Sequence, residues 1–351
     1  MAYTTIDDPS AYFHTQLYAG NASTNVITND GNSDLQPDWV WIKNRTTAGK
    51  DHVLYDSSRG VNKQFYTNNT NDEDSVSNGL TSFNTDGFTL GDNGGPNASG
   101  DHVAWQWKAN GGTTVSNTDG SITSTVQANT TAGFSIVTFT SNGSNGQTVG
   151  HGLGVAPKMI ITKNRSATGS WYTYNYDIGA NHWIRLNGTD AKNLNTNVWG
   201  NTHPTSSVFT IGLTDLGYSN TNNVIAYCFA EKQGYSSIKS YTGNGSENGP
   251  FIYTGFKPAW IMFKKTSGTD GWGIFDNRRG YQNATNPLDA YLQPNNSNAE
   301  SGESDSIDFL SNGFKWRISS GFRNESGSNF IYMCFASSPF VGSDGTPTTA
   351  R

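Results

Sequence analysis

The sequence predicts an all-β protein made of three tandem antiparallel β-sandwich modules of jelly-roll or lectin-like type. Gly, Asn and Thr each occur 40 times among the 351 residues, and no stretch longer than ten residues is free of Gly, Pro and Asn. A typical helix needs about 8 to 20 residues without such interruptions. Short apolar runs bounded by Asn-Gly, Asp-Gly or Gly-Gly instead indicate strands joined by tight turns.

A set of landmarks that recurs three times in the same order predicts the modules. Each copy has a proline followed by an apolar run, and later a closing strand rich in aromatic residues. The apolar runs cover residues 37–45, 157–165 and 258–265, and the closing strands cover residues 103–107, 225–229 and 331–335. Recurrence at this spacing is typical of repeated modules. The predicted organisation is an N-terminal segment (1–9), three β-sandwich modules (10–110, 133–233 and 236–340), a Thr/Ser/Gly-rich linker (111–132) and a C-terminal tail (341–351).

The strand after each proline is expected to be central, because it is apolar on both faces. In the first copy Trp39 and Trp41 alternate with Val40 and Ile42. Side chains alternate between the two faces of a strand, so one face can fill a sandwich core. The other face must meet a loop, a neighbouring module or another subunit.

The closing strands place large residues on one face and small residues on the other. Cys228 and Cys334 occupy the same position in two of the copies. A disulfide requires a Cα separation below about 7 Å, and equivalent positions lie a whole module apart. Both cysteines are therefore expected to be free thiols that fill space.

Charge excludes several functions. Only 14% of the residues are charged, the net charge is −6, and the 22 Lys and Arg residues do not gather into a run. This pattern argues against nucleic-acid binding.

No apolar stretch approaches the roughly 18 residues that span a bilayer, which argues against membrane insertion. The N-terminus lacks a basic start and an apolar region, so cytoplasmic synthesis is expected.

No motif typical of catalysis, metal binding or cofactor binding is present. The six histidines lack a second ligand at zinc spacing, and we expect no cofactor. Acidic clusters at residues 71–74 and 300–308 are interpreted as solvated loops, with a calcium site or paired catalytic carboxylates as the alternatives. Arg59 and Arg279 each follow an aspartate by three residues, which indicates salt-bridged surface turns or, alternatively, contacts with an anionic sugar.

The candidate carbohydrate-binding residues are Trp171, Trp183 and Trp199. They lack clear counterparts in the other copies when the aromatic–Asp pairs at residues 55–56, 176–177 and 275–276 are aligned. Exposed tryptophans suit a platform on which sugar rings stack. The alternative is that these side chains fill a core or an interface.

Several segments resemble a group of virion proteins from tailed phages of marine bacteria. They are residues 1–6, 17–21, 37–43, 120–125, 150–160, 253–259 and the ending at 339–351, so the resemblance covers nearly the whole chain. Such proteins are generally described as tail-fibre, tail or structural proteins, and the family offers no catalytic residues. The resemblance implies a chain that is made in the host cytoplasm and released with the particle.

Three classes of function follow from the sequence. The favoured class is a non-enzymatic structural protein on a virion surface, as a tail fibre, an appendage or a capsid decoration. Its expected partners are copies of itself, other virion proteins and a host surface glycan, and the two-faced apolar strands motivate the self-association. A carbohydrate-binding protein outside a virion and a polysaccharide-degrading enzyme are the alternatives.

Overall fold

The computed structural model describes residues 2–212, 221–282 and 285–347, with the side chains of residues 303–305 excepted. The prediction of an all-β, sandwich-type fold is confirmed. Across the described ranges, the helical segments are α1 (Gly321–Asn324) and two 3-10 turns, Pro9–Ala11 and Tyr176–Ile178. No helix within those ranges combines the length and the apolar character that crossing a membrane requires.

The first group of strands forms two antiparallel sheets, which we call sheet pair 1. The large sheet has the order β1-β9-β3-β4-β5-β6 and the small sheet the order β2-β8-β7. The strands are β1 (Phe13–Gly20), β2 (Asn25–Ile27), β3 (Trp39–Asn44), β4 (Val53–Asp56), β5 (Lys63–Tyr66), β6 (Asp74–Ser75), β7 (Leu80–Phe83), β8 (Phe88–Leu90) and β9 (Gly100–Trp107).

The second group forms sheet pair 2. Its large sheet has the order β10-β11-β12-β19-β14-β15-β16-β17, and its small sheet pairs β13 with β18. The strands are β10 (Val115–Asn117), β11 (Ser124–Asn129), β12 (Phe134–Thr140), β13 (Gln147–Gly150), β14 (Met159–Asn164), β15 (Tyr172–Asn175), β16 (His182–Arg185), β17 (Asn193–Leu194), β18 (Val208–Ile211) and β19 (Asn223–Phe229).

The third group forms sheet pair 3. Its large sheet has the order β20-β27-β22-β23 and its small sheet the order β21-β26-β25-β24. The strands are β20 (Ser236–Thr242), β21 (Phe251–Tyr253), β22 (Phe256–Lys265), β23 (Trp272–Asp276), β24 (Leu288–Tyr291), β25 (Ser301–Leu310), β26 (Gly313–Trp316) and β27 (Asn329–Pro339).

The prediction that residues 111–132 form a linker is wrong. Strands β10 and β11 lie within it, and β11 extends the large sheet by pairing with β12. Val126 on β11 is buried in the core of sheet pair 2. A Thr-rich stretch is compatible with strands as well as with linkers, because Thr is β-branched, and Thr125 indeed lies in β11.

Each sheet pair encloses its own core between its large and small sheets. In sheet pair 1 this core contains Val40 and Ile42 from β3 together with Phe88 and Leu90 from β8. Sheet pairs 2 and 3 have corresponding clusters, which hold Cys228 and Cys334 respectively. Both thiols are buried and free, which confirms that prediction.

The opposite faces of the three large sheets meet in one shared core, which we call the central core. The central core contains the large residues of all three closing strands and of β3, β14 and β22. Three equivalent closing aromatics lie close together there, since the ring of Phe335 is 5.6 Å from that of Trp107 and 6.2 Å from that of Phe229. The second apolar face of each central strand is thus buried within the chain.

This burial removes the argument for self-association that rested on two-faced apolar strands. The sequence left three partners open for the second face, and the central core identifies it as a contact between neighbouring sheet pairs. Trp39 and Trp41 are fully buried there together with Trp260. Any contact between copies of the chain would therefore have to involve other surfaces of the molecule.

Candidate functional site

The three sheet pairs contact one another through a repeated set of backbone hydrogen bonds. We call the contacts seam 1–2, seam 2–3 and seam 3–1, after the sheet pairs that they join. The equivalent bonds run from Glu73 N to Arg165 O, from Lys192 N to Thr266 O and from Glu300 N to Arg45 O, at 3.2, 3.1 and 2.8 Å. Because pair 1 meets pair 2, pair 2 meets pair 3 and pair 3 meets pair 1, the chain closes into a three-part ring.

Each seam contains a buried lysine at the end of a central strand. These residues, Lys43, Lys163 and Lys264, are fully buried. Their ammonium groups donate to backbone carbonyls: Lys43 to Asn44 O at 2.7 Å, Lys163 to Thr70 O at 2.9 Å and Lys264 to Lys265 O at 2.6 Å. Burial lowers the pKa of all three from 10.5 to about 8, against the opposing effect of nearby carboxylates.

These lysines predict a rise in stability between pH 8 and pH 10. A group whose folded pKa is lowered binds fewer protons in the folded state, so raising the pH from the folded toward the unfolded pKa favours folding. For Lys163 alone we expect a gain on the order of 2 kcal/mol across that interval. The measurement is the free energy of unfolding by urea at several pH values, with K163M as the matched variant.

The wild-type curve should rise relative to that of K163M between pH 8 and pH 10, and the two curves should run parallel below pH 7. Burial raises the pKa of Tyr227 and Tyr235, so both proteins lose stability above pH 10, and this loss cancels in the difference. A constant difference between the curves across the whole range would contradict the lowered pKa of Lys163.

Seam 1–2 also contains a buried ion-pair network. Asp56 and Arg59 are paired, and the side chains of both are fully buried. Asp56 accepts a hydrogen bond of 2.7 Å from Tyr227 Oη, across the seam. Glu73 accepts from Arg165 Nε at 2.8 Å, and although burial favours its neutral form, hydrogen bonds from Arg165 and the charge of Arg59 lower its pKa.

Seam 3–1 repeats this network with equivalent residues. Asp276 accepts from Arg279 Nε at 2.6 Å and, across the seam, from Trp105 Nε1 at 2.9 Å. Glu300 accepts from Arg279 and from Arg45, at 2.8 and 2.7 Å. The predicted salt bridges exist, but they are buried at contacts between sheet pairs, so the surface placement of these turns is wrong.

The two acidic clusters differ: three of the four residues at 71–74 are exposed, as the solvated-loop interpretation expects, whereas residues 301–308 lie in strand β25. Glu73 and Glu300, one from each cluster, neutralise arginines of the seams. The side chains of residues 303–305 lie outside the described residues. Among the residues that are described, no three His, Cys, Asp or Glu side chains come together in a group that could hold a metal ion.

The predicted tryptophan platform is wrong for two of its three members. Trp171 is fully buried in the central core, and Trp199 is 2% exposed in the core of sheet pair 2. Their indole N–H groups donate to Tyr66 O and His182 O, both at 2.9 Å. Trp183 is half-buried, with its ring 5.2 Å from that of Tyr172. Because Trp171 and Trp199 are buried, no sugar ring can stack on either side chain.

The error came from aligning Tyr176-Asp177 with Tyr55-Asp56. Strand register shows that Trp39 pairs with Asp56, whereas the equivalent Met159 pairs with Asn175. The counterpart of Asp56 is therefore Asn175, two residues earlier. With that shift Trp171 matches Trp272, whose Nε1 donates across seam 2–3 to Arg185 O at 2.9 Å.

Aromatic side chains do reach solvent elsewhere. Phe251 and Tyr253 lie on one face of β21 and are 46% and 52% exposed, while Ile252 between them is buried. The hydroxyls of Tyr253 and Tyr3 are 3.3 Å apart. The alternation Phe-Ile-Tyr in a short strand was the sequence signal for this exposed pair, and the sequence interpretation missed it.

Fold and seams together define an all-β protein in which three sheet pairs share one core and charged groups stabilise the contacts between them. The chain belongs to the family described as a domain of unknown function (DUF7483), whose model matches residues 8–339. No curated protein and no solved structure shows a significant match to the chain.

Proposed function

We propose that the chain is a non-enzymatic structural protein on the surface of a tailed-phage virion, in a tail fibre, a short appendage or a capsid decoration. The closed ring of three sheet pairs around the central core supports this proposal most directly. A particle component must stay folded outside the cell, and resistance to unfolding grows when every part of the chain depends on one shared core. The resemblance to virion proteins points in the same direction.

The state of the charged groups supports a non-enzymatic role. A catalytic pair of carboxylates needs one member that can donate a proton and one that can attack or activate water. Glu73 and Glu300 instead accept hydrogen bonds from arginines of the seams. The three lysines with lowered pKa are likewise occupied by backbone carbonyls.

Immunogold labelling tests the location. An antibody against the chain is applied to particles of the encoding phage, purified by density gradient, and we expect labelling at a regular position on each particle. Antigen that stays in the host lysate and is absent from purified particles would refute the virion role. New reducing ends after incubation of the protein with host surface polysaccharide would refute the non-enzymatic part.

The proposal includes association with copies of the same chain and contact with a host glycan through Phe251 and Tyr253. Exposed aromatic faces suit both sugar rings and protein partners. We expect F251S/Y253S to bind host cells less than the wild type, while L194S, which alters a side chain that is 68% exposed elsewhere, binds normally. Equal binding by all three proteins would exclude this aromatic pair, and a stable monomer at micromolar concentration would exclude self-association.

A further inference from the structure

The outer edge of β1 corresponds to an edge that another strand occupies in sheet pair 2. Strand β1 pairs with the closing strand β9, as Phe13 opposite Trp107 shows. Strand β12 pairs in the same way with β19, as Phe134 opposite Phe229 shows. The other edge of β12 is covered by β11, whereas β1 is the last strand of its sheet.

Strand β11 places one polar side chain in seam 1–2. Gln127 lies opposite Ile136 of β12 and is fully buried. Its Nε2 donates to the hydroxyls of Ser57 and Ser58, at 3.0 and 2.8 Å, and its Oε1 accepts from Gly112 N at 2.9 Å. An amide side chain with both ends hydrogen-bonded thus completes this seam.

Seam 3–1 has a cleft at the equivalent place. Its volume is about 200 Å³, and its lining includes Thr15, Ala259, Asn277 and Arg278, with Arg278 ion-paired to Asp30 of the same lining. Thr15 is the counterpart of Ile136, because it pairs with Trp105 as Ile136 pairs with Tyr227. Asn277 and Arg278 follow Asp276 as Ser57 and Ser58 follow Asp56. The cleft therefore corresponds to the volume that Gln127 fills in seam 1–2.

Two observations indicate that this cleft is incomplete as it stands. Thr15 is 3% exposed, and its hydroxyl has no hydrogen-bond partner among the residues that the structure describes. A buried hydroxyl without a hydrogen-bond partner destabilises the folded state. Over those same residues, no backbone hydrogen bond joins Phe13 or Thr15 to a segment beyond the outer edge of β1.

The third large sheet shows what a closed edge looks like. Its outer strand β20 is the counterpart of β1, and there the carboxylate of Glu231 accepts from Ile238 N at 2.8 Å. Lys232 N also donates to the hydroxyl of Ser236 at 2.9 Å. Residues of the same chain thus occupy that edge, and the edge of β1 at residues 13 and 15 lacks an equivalent contact within the described part of the chain.

We propose that an extended segment of a different polypeptide pairs antiparallel with residues 13–17 of β1 and places a glutamine side chain in the seam 3–1 cleft. The cleft is smaller than the roughly 300–1,000 Å³ typical of small-molecule sites, and it suits one side chain. Addition of a strand to an open sheet edge is a common mode of peptide recognition. Strand β11 of a second copy is not available for this pairing, because it is already paired on both sides.

The probe is a fluorescein-labelled peptide with the sequence of residues 123–130, titrated into the full-length protein and followed by fluorescence anisotropy. We expect saturable binding that slows amide hydrogen exchange in residues 13–17. A peptide with alanine in place of its glutamine should bind about tenfold more weakly. A peptide N-methylated at the glutamine should not bind, since it cannot pair with Thr15.

Two protein variants complete the test. The substitution T15P removes a backbone N–H that faces away from β9. Edge strands tolerate proline at such positions, so the variant should fold. It should fail to bind the peptide, because the N–H that pairs with the peptide is missing. T15V keeps the backbone donor and should bind. Absence of binding, equal binding of the N-methylated peptide, or protection of β12 instead of β1 would overturn the proposal. So would a dimer of the protein alone that T15P dissociates, because it would make a second copy the occupant.

Discussion

Replacement of Phe335 by alanine is expected to lower the free energy of unfolding of the whole chain by about 3–5 kcal/mol. Phe335 is 1% exposed and lies in the central core. Its ring is 5.2 Å from that of Phe13 in sheet pair 1, 5.9 Å from Trp260 in sheet pair 3 and 6.2 Å from Phe229 in sheet pair 2. The cavity left by the change would remove packing from all three sheet pairs at once.

The diagnostic measurement is amide hydrogen exchange of the native protein, resolved by segment. We expect F335A to accelerate exchange through global unfolding by about 10²- to 10⁴-fold, equally in β3, β14 and β22. Denaturant unfolding should remain a single transition. Acceleration confined to β20–β27, or a transition that divides into two, would show that the sheet pairs unfold independently and that the central core does not couple them.

Local patterning accounts for much of the fold that could be predicted from the sequence. Gly and Asn at turns and alternating apolar residues predicted antiparallel strands, and burial of both faces of 39–42 was anticipated as well. What covers the second face could not be predicted. An apolar face has no directional information, so a neighbouring part of the same chain and a separate subunit leave the same pattern in the sequence.

The candidate site was harder to predict, because its contacts depend on register. The pairing of Met159 with Asn175 moves the alignment of the second copy by two residues, and Trp171 then becomes a counterpart of Trp272. A shift of two residues keeps side chains on the same face of a strand, so alternation alone could not detect the shift.

The burial of Asp56 and Arg59 could not be predicted either. Charged pairs are mostly exposed, and the sequence does not show which face of a turn meets another sheet.

Replacement of Asp56 by alanine is the second change with a large expected effect, a loss of about 3–5 kcal/mol in the free energy of unfolding. The change leaves the guanidinium of Arg59 buried without the carboxylate beside it. It also removes the acceptor of the hydrogen bond from Tyr227 Oη.

The urea midpoint at pH 7 measures the loss of stability. D190A is the matched control, because Asp190 and Arg185 form a pair in which both side chains are more than one-third exposed. We expect D190A to cost less than about 1 kcal/mol.

Sheet pair 2 supplies the variant that separates a missing charge from a missing ion pair. There Asn175 stands where sheet pair 1 has Asp56, and Ile178, three residues later, stands where it has Arg59. Because an amide oxygen can still accept from Tyr227 and an isoleucine needs no counter-ion, D56N/R59I should recover most of the stability lost in D56A. Glu73 keeps its hydrogen bonds from Arg165 in that variant. If D56N/R59I were as unstable as D56A, the Asp56–Arg59 ion pair itself would stabilise seam 1–2, and an arginine buried without Asp56 would not be the cause of the loss.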